Sequence, residues 1–453
     1  MKMKGGSMTD KTMTVGIDLA LRSGHTAVAK IWGEETFHRL PSFHSHPEEL
    51  ASLVEKVSDL AGPEARITFT MEPTGNAWFP VARWLKLQGF EVYMVRPEKV
   101  ADLRRYLSKH TKTDSIDAKA LASMNRFDGD DLFPARLQST EENACWRLCK
   151  QRARFAHQVG SIKTRVRDFV ELAVPGLHAV LGDPFTQMGR KLLEENLNPH
   201  RVASTGLSAF VAFCRQGHRG PVAVEDLEKI FQVFDNASRL YAAAVGAVGH
   251  SVDFDLLQEE IGRELQMLCI CEAFIEELDT KIAALYEQID PDKILTSIQG
   301  IGPTIGAAIT ARVGNIRDFK SLKAFRSYCG FVPRKKQTSN TDRQGLRITK
   351  AANSLLKDYL YMAAETARHW DVEFAAFYDV LVYDRKKHHN KAMGALANKM
   401  VGRIYALLKR AAPYQLRDLQ GQPITKAEAR ALVLEITSKR KTKKEERSIG
   451  TAR

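Results

Sequence analysis

Apolar and polar residues alternate along 13–20, MTVGIDLA, with the period of two that marks a strand, and the alternation brings the chain to Asp18. HTAVAKIWG (25–33) predicts the next strand. RITFTMEPTG (66–75) predicts a third, ending at Glu72 before Pro73 and Gly75 break it. NAWFPVARWLKLQG (76–89) carries the period of an amphipathic helix closed by Gly89, and EVYMV (91–95) is a short apolar strand before Pro97. Strands alternating with helices predict an α/β domain over 13–137, behind an N-terminal extension of 1–12 in which Met8 is an alternative start.

The period then changes. Leu148, Arg152, Phe155, Val159, Ile162, Val166, Phe169 and Ala173 step by four and three, as do Ile261, Glu264, Leu268, Cys271, Ile275, Leu278, Ile282, Leu285 and Ile289. Only Arg152 breaks the first seam and only Glu264 the second. Two heptad arms of similar length, each roughly 40 Å long at 1.5 Å per residue, predict a coiled-coil region over 138–292, with two ordinary bundle helices as the alternative. Turn signals such as GHRGPVAVED between the arms predict an inserted subdomain at about 175–255. From 293 to 412 the chain is basic, glycine-punctuated and helical in period, and a charge-dense tail follows over 413–453.

At 453 residues the chain exceeds one ordinary domain, as this division requires. Its 44% hydrophobic and 27% charged content fits a soluble globular protein. No apolar run reaches the roughly 18 residues that cross a bilayer, and MKMKGGSMTD lacks the apolar region of a secretory signal, so a cytoplasmic protein without a membrane partner is expected. None of the six cysteines sits in a CxxC pair with a matching second pair; reduced thiols are expected. Lysine and arginine number 67 against 54 acids, a formal net charge of +13, which points to a polyanionic partner, nucleic acid first.

Within that basic chain the placement of acids becomes informative. Asp18 and Glu72 end strands, and Asp114 and Asp117 in KTDSIDAKALA open a helix on one face, three residues apart. Each alone reads as a solvated carboxylate, and Asp114 can help the helix start. Strand ends and helix starts of an α/β domain meet at one sheet edge, where four acids repel unless a cation joins them. Two Mg²⁺ or Mn²⁺ ions about 3.5–4 Å apart would neutralise them and clamp a phosphodiester. Towards the other end, QGIGPTIG resembles a helix-hairpin-helix in which Gly300 and Gly302 let the backbone approach phosphates; a tight turn between core helices is the alternative. Segment 321–350 holds eight Lys and Arg against one acid, and Arg334, Lys335, Lys336, Arg343, Arg347 and Lys350 suit phosphate contact. Arg385, Lys386 and Lys387 form a second basic stretch, which His388 and His389 join.

With GIDLA, MEPTG and KTDSIDAKALA in order, and SIQGIGPTIG, FRSYCGFVPRK and GLRITKAANSLLKDYLYMAA behind them, the sequence resembles the DEDD transposases of the insertion sequence one-hundred-and-ten family over roughly 13–130 and 290–410. The resemblance implies a RuvC-like (RNase H-like) α/β domain, a joining coiled coil and a mainly α C-terminal transposase domain; the 175–255 insertion is longer than the family pattern. It implies a site-specific recombinase that excises and inserts its own element, guided by a noncoding bridge RNA that pairs with donor and target DNA. Asp18, Glu72, Asp114 and Asp117 then hold Mg²⁺ or Mn²⁺ and act with a nucleophilic hydroxyl that leaves the protein covalently on DNA. Where the family commonly has serine in this stretch the chain reads RITK, so Thr349 takes the serine's place; Ser339, in the same basic loop, is its rival, and the alternative for Thr349 is the cap of a helix that begins near Lys350. The heptad arms imply a dimer, and a tetramer when two duplexes are joined. A metal-dependent junction-resolving nuclease needs the same acids without Thr349, and a catalytically silent binding protein needs neither.

Overall fold

The computed structural model describes residues 12–73, 75–95, 97–107, 113–127, 132–216, 223–243, 252–332, 337–338, 341–342, 348 and 352–450. The chain forms two compact units that divide between Ser139 and Thr140.

The first unit is a mixed sheet with helices. Its elements are β1 (Thr12–Asp18), β2 (Thr26–Ile31), β3 (His38–Arg39), α1 (Pro47–Ala61), β4 (Arg66–Met71), α2 (Trp78–Leu87), β5 (Glu91–Val95), α3 (Pro97–Leu107), α4 (Asp114–Phe127) and β6 (Leu132–Pro134). The six strands lie in the order β3-β2-β1-β4-β5-β6. β1, β4 and β5 run parallel; β2, β3 and β6 pair antiparallel at the flanks. Residues 13–17 of β1 are all buried, so the strand that alternates in sequence is covered on both faces. Its polar member Thr14 is satisfied: Thr14 Oγ1 lies 3.2 Å from Thr68 Oγ1 and accepts from Trp32 Nε1 at 3.0 Å.

The second unit is helical. α5 (Thr140–Ala173, 34 residues) and α10 (Phe254–Ile289, 36 residues) contain the two heptad arms, each starting earlier than its seam. They pack side by side and antiparallel, because Arg152 meets Asp279 while Arg165 meets Glu264. Both seam-breaking residues thus reach across to the other arm, as Lys163 does to Glu272 at 3.3 Å. Arg152 Nε and Nη2 donate to Asp279 at 2.6 and 2.9 Å, and Arg165 donates to both Glu264 oxygens at 3.0 and 2.7 Å. The apolar seam is used inside the chain: Leu268, Ile261, Ile282 and Val166 are buried.

Between the arms lie α6 (Leu177–Leu181), α7 (Gln187–Glu195), α8 (Pro199–Arg215) and α9 (Val224–Ala243), which share one apolar core with the arm ends nearest the insertion. The opposite ends of the arms pack on α11 (Pro303–Val313) and on Tyr359 of α13 (Ser354–Trp370), and α12 (Leu322–Tyr328), α14 (Val372–Asp379), α15 (His389–Arg410) and α16 (Lys426–Gly450) gather around α11 and α13 in cores of their own. No helix among the described residues is long and apolar enough to cross a membrane. All six cysteines are free, five of them buried.

Candidate functional site

Strand register brings two of the expected acids together. Ile17 of β1 pairs with Met71 of the parallel strand β4, so the next residues, Asp18 and Glu72, stand side by side at the carboxyl edge of the sheet. The helix that carries the other two lies on the same strand. An ideal Cβ on Gly16 would stand 2.2 Å from Ala118 O, 2.3 Å from Ala122 N and 2.8 Å from Leu121 Cβ, so only glycine lets α4 sit this close to β1. Thr70 Oγ1 ties the same helix to β4 by donating to Leu121 O at 2.7 Å. Asp117 is the residue before that contact and Asp18 lies two residues past Gly16. Gly16→Ala is therefore expected to lower stability by about 1–3 kcal/mol and to shift α4 on its strand. A urea midpoint equal to that of the wild type would remove the close-contact argument.

The helix start carries both acids in its first turn, where the macrodipole favours them. Thr113 provides the cap, its Oγ1 accepting from Ile116 N at 3.3 Å, and leaves Asp114 exposed in the first turn. Asp117 is buried and engaged: Arg104 Nη1 of α3 reaches its Oδ1 at 3.1 Å and its Oδ2 at 3.3 Å. The sequence reading missed Arg104, whose partner lies 13 positions away and follows no helical spacing. It also missed His25, buried against Phe43, whose Nδ1 accepts from Ala20 N at 3.1 Å and whose Nε2 lies 2.9 Å from Ser45 Oγ. Burial, with the neighbouring charge of His44, lowers the His25 pKa, so the neutral ring holds the turn that follows Asp18.

The donor set is all carboxylate oxygen, which suits a hard divalent cation, and a guanidinium nitrogen already stands between the two oxygens of Asp117. The carboxylates are not gathered to ligand distance: among the described residues no three of His, Cys, Asp and Glu lie close enough together to hold a metal ion.

In the second unit the glycines of QGIGPTIG part company. Gly300, at φ 94°, turns its open side to α13, where a Cβ would meet Ala363 O at 2.2 Å, so its lack of a side chain serves helix packing. Gly302 is exposed and starts α11, whose first N–H groups follow it. The element before this turn is a single 3₁₀ turn, Leu295–Ser297, rather than a full helix. α14 runs into a π-helical turn, Val380–Asp384, beyond which Arg385, Lys386 and Lys387 are exposed just ahead of the N-terminus of α15. The two histidines have protein partners: His388 Nδ1 accepts from Asn390 N at 3.2 Å, and His389 Nδ1 lies 2.9 Å from Tyr378 OH. Arg334, Lys335, Lys336, Ser339, Arg343, Arg347, Thr349 and Lys350 lie outside the described residues. The helix beyond them begins at Ser354 and is capped by Asn353, whose Oδ1 accepts from Leu356 N at 3.0 Å. Thr349 is therefore not that helix's cap.

Comparison with known proteins matches residues 15–175 to a family model described as "Transposase" and residues 292–379 to one described as "Transposase IS116/IS110/IS902 family". The four carboxylates fall in the first stretch and Thr349 in the second. The mini-circle putative transposase for IS117 of Streptomyces coelicolor is 23% identical over 338 residues, 70% of this chain and 76% of that protein. The uncharacterized 44.8 kDa protein of insertion element IS116 from Streptomyces clavuligerus is 23% identical over 399 residues, 87% of this chain and 94% of that protein. A probable family 20 transposase of Pseudomonas aeruginosa is 30% identical over 164 residues, 35% of this chain and 46% of that protein.

Proposed function

Because the chain belongs to the IS116/IS110/IS902 family of transposases, we propose that it cuts and rejoins DNA strands, using the acids of its sheet edge and a nucleophilic hydroxyl. The observation that carries the reading is the register that sets Asp18 beside Glu72 while α4, with Asp114 and Asp117, presses on the same strand. Mg²⁺ or Mn²⁺ bound there would neutralise the acids and polarise a phosphodiester oxygen. The chain's own residues supply the rest. The sheet fixes Asp18 and Glu72, and His25 holds the turn behind Asp18. The Thr349 hydroxyl attacks phosphorus: its oxygen forms the new ester, one deoxyribose oxygen leaves with a proton, and a hydroxyl of another strand end reverses the step to rejoin DNA. Arg385, Lys386 and Lys387, with Gly302 at the start of α11, receive backbone phosphates. We extend the reading to a bridge RNA that pairs with donor and target DNA. We also extend it to coiling of α5 on α10, and to a dimer or tetramer formed through the apolar face of α10, where Met267, Ile270 and Phe274 are 50, 48 and 44% exposed.

The test is to trap the protein on cleaved DNA with Mg²⁺ and map the modified residue. An adduct at Thr349 supports the proposal, and an adduct at Ser339 transfers the role to that serine. Cleavage without any adduct replaces the transposase chemistry with that of a junction-resolving nuclease using activated water.

A further inference from the structure

Arg104 has no part in the chemistry above, yet it holds one of the four acids more closely than any other side chain named here. α3 is docked on α4 through Val100 and Leu103 against Ala120, Leu121 and Met124. Arg104 stands four residues beyond the buried Val100, one turn along the same face of the helix, so packing aims the guanidinium at Asp117. A single nitrogen, Nη1, sits 3.1 Å from Oδ1 and 3.3 Å from Oδ2. That is a placement in the fork of the carboxylate, where a bidentately held cation would sit, rather than the parallel two-nitrogen pairing of an ordinary arginine fork. Both side chains are largely covered, at 26 and 12% exposed, so water screens the pair weakly.

Four carboxylates at one sheet edge need positive charge before any divalent ion arrives, and a buried carboxylate left without it is costly. We infer that Arg104 is the built-in counter-cation of Asp117 and competes with a divalent metal ion for that carboxylate, which sets the metal concentration the site requires. The inference rests on the metal role given to the four acids under Proposed function. It accounts for two observations together: Asp117 is buried, and its carboxylate fork is filled by a guanidinium nitrogen. Metal entry then requires Nη1 to leave the fork, so Arg104 exchanges one cation for another at the same oxygens.

The experiment is a Mn²⁺ titration of the full chain, with free Mn²⁺ read by its electron paramagnetic resonance signal, and thermal unfolding with and without the ion. Arg104→Gln should bind Mn²⁺ about tenfold more tightly than the wild type, ~1.4 kcal/mol by the standard conversion. It should also unfold at a lower temperature without metal, with the gap closing as Mn²⁺ saturates. Arg104→Lys keeps the charge and loses the reach, and should tighten binding about twofold. It decides the matter alone should the glutamine variant fail to fold. Arg105→Gln removes the same charge one position along, at an exposed residue paired with Asp102, and should leave the affinity at the wild-type value. Wild-type or weaker affinity in the Arg104 variants overturns the inference, as does equal tightening by Arg105→Gln, which would reduce the effect to net charge. Asp18→Asn reports on the underlying reading separately. If it binds Mn²⁺ as the wild type does, the metal assignment fails and this inference with it. If it loses the ion while Arg104→Gln gains nothing, the metal assignment stands and only the competition is wrong.

Discussion

Asp18→Asn and Glu72→Gln should each reduce DNA cleavage by about a thousandfold, the rate equivalent of ~4 kcal/mol of lost charge stabilisation, while DNA binding is retained. Both substitutions keep the side chain's size and remove its charge. Asp18 and Glu72 sit partly exposed where β1 and β4 end, whereas Asp117 is buried. The phosphate contacts assigned to this protein are basic groups of the second unit, so removing an acid from a chain of net charge +13 leaves them in place. Asp114→Asn, at an exposed residue, should behave the same way. Asp117→Asn is a less direct probe, because it also removes the partner of Arg104 and its loss of activity will come with a loss of stability. Cleavage and gel-shift assays across a Mg²⁺ series measure both quantities. Wild-type cleavage by either Asp18→Asn or Glu72→Gln would take that residue out of the chemistry.

The arrival of Asp18 and Glu72 at one sheet edge was legible because it follows from local signals: two apolar strands of an α/β sheet, each running up to an acid. The arms were legible for a similar reason, and even their defects carried meaning, since Arg152 and Glu264 break the apolar period at the places where the helices exchange ion pairs. What the period could not give was the identity of partners. Nothing near Arg104 names Asp117, and nothing near Arg165 names Glu264, because those contacts are fixed by how elements dock. Short elements were lost too. β3 has two residues and β6 three, too few for alternation to register, so the sheet reads from sequence as narrower than it is. Gly300 shows the limit of motif reading: a glycine before a helix suggests phosphate approach, but here the missing side chain makes room for the backbone of α13. The start of the helix beyond Thr349 was also beyond sequence reading: it lies at Ser354, behind Asn353, rather than near Lys350.

Arg403→Met should destabilise the second unit by about 3–5 kcal/mol, the cost of leaving a buried carboxylate without its cation. Asp371 is 1% exposed. Its Oδ1 caps α14 by accepting from Glu373 N at 3.0 Å and Phe374 N at 3.3 Å, and its Oδ2 accepts from Arg403 Nη1 at 3.2 Å and from Tyr414 OH at 2.7 Å. Arg403 also donates to Glu373 and to the Tyr414 hydroxyl, and its guanidinium lies 4.4 Å from the Tyr414 ring centroid and 5.2 Å from that of Phe374. One arginine of α15 thus holds α14 and the segment after α15 together. Methionine fills much of the same space and keeps the apolar contacts, so the loss reports charge and hydrogen bonding rather than a cavity. Tyr414→Phe removes only one partner of Asp371 and should cost about 1 kcal/mol. The network also sets a pH response. Burial alone would raise the Glu373 pKa, but the charge and hydrogen bonds of Arg403 and Lys399 outweigh it and hold the group below the ordinary glutamate value. A depressed carboxylate contributes stability above its unfolded pKa and loses it as pH falls through the lower folded value, so acid should weaken the wild type at this network. In Arg403→Met that carboxylate lacks its main partner, and the acid-induced loss should be smaller. Urea unfolding of the full chain, followed through the second unit's transition at neutral and acid pH, measures both effects. A midpoint shift in Arg403→Met no larger than that of Tyr414→Phe would show that Asp371 does not depend on this cation.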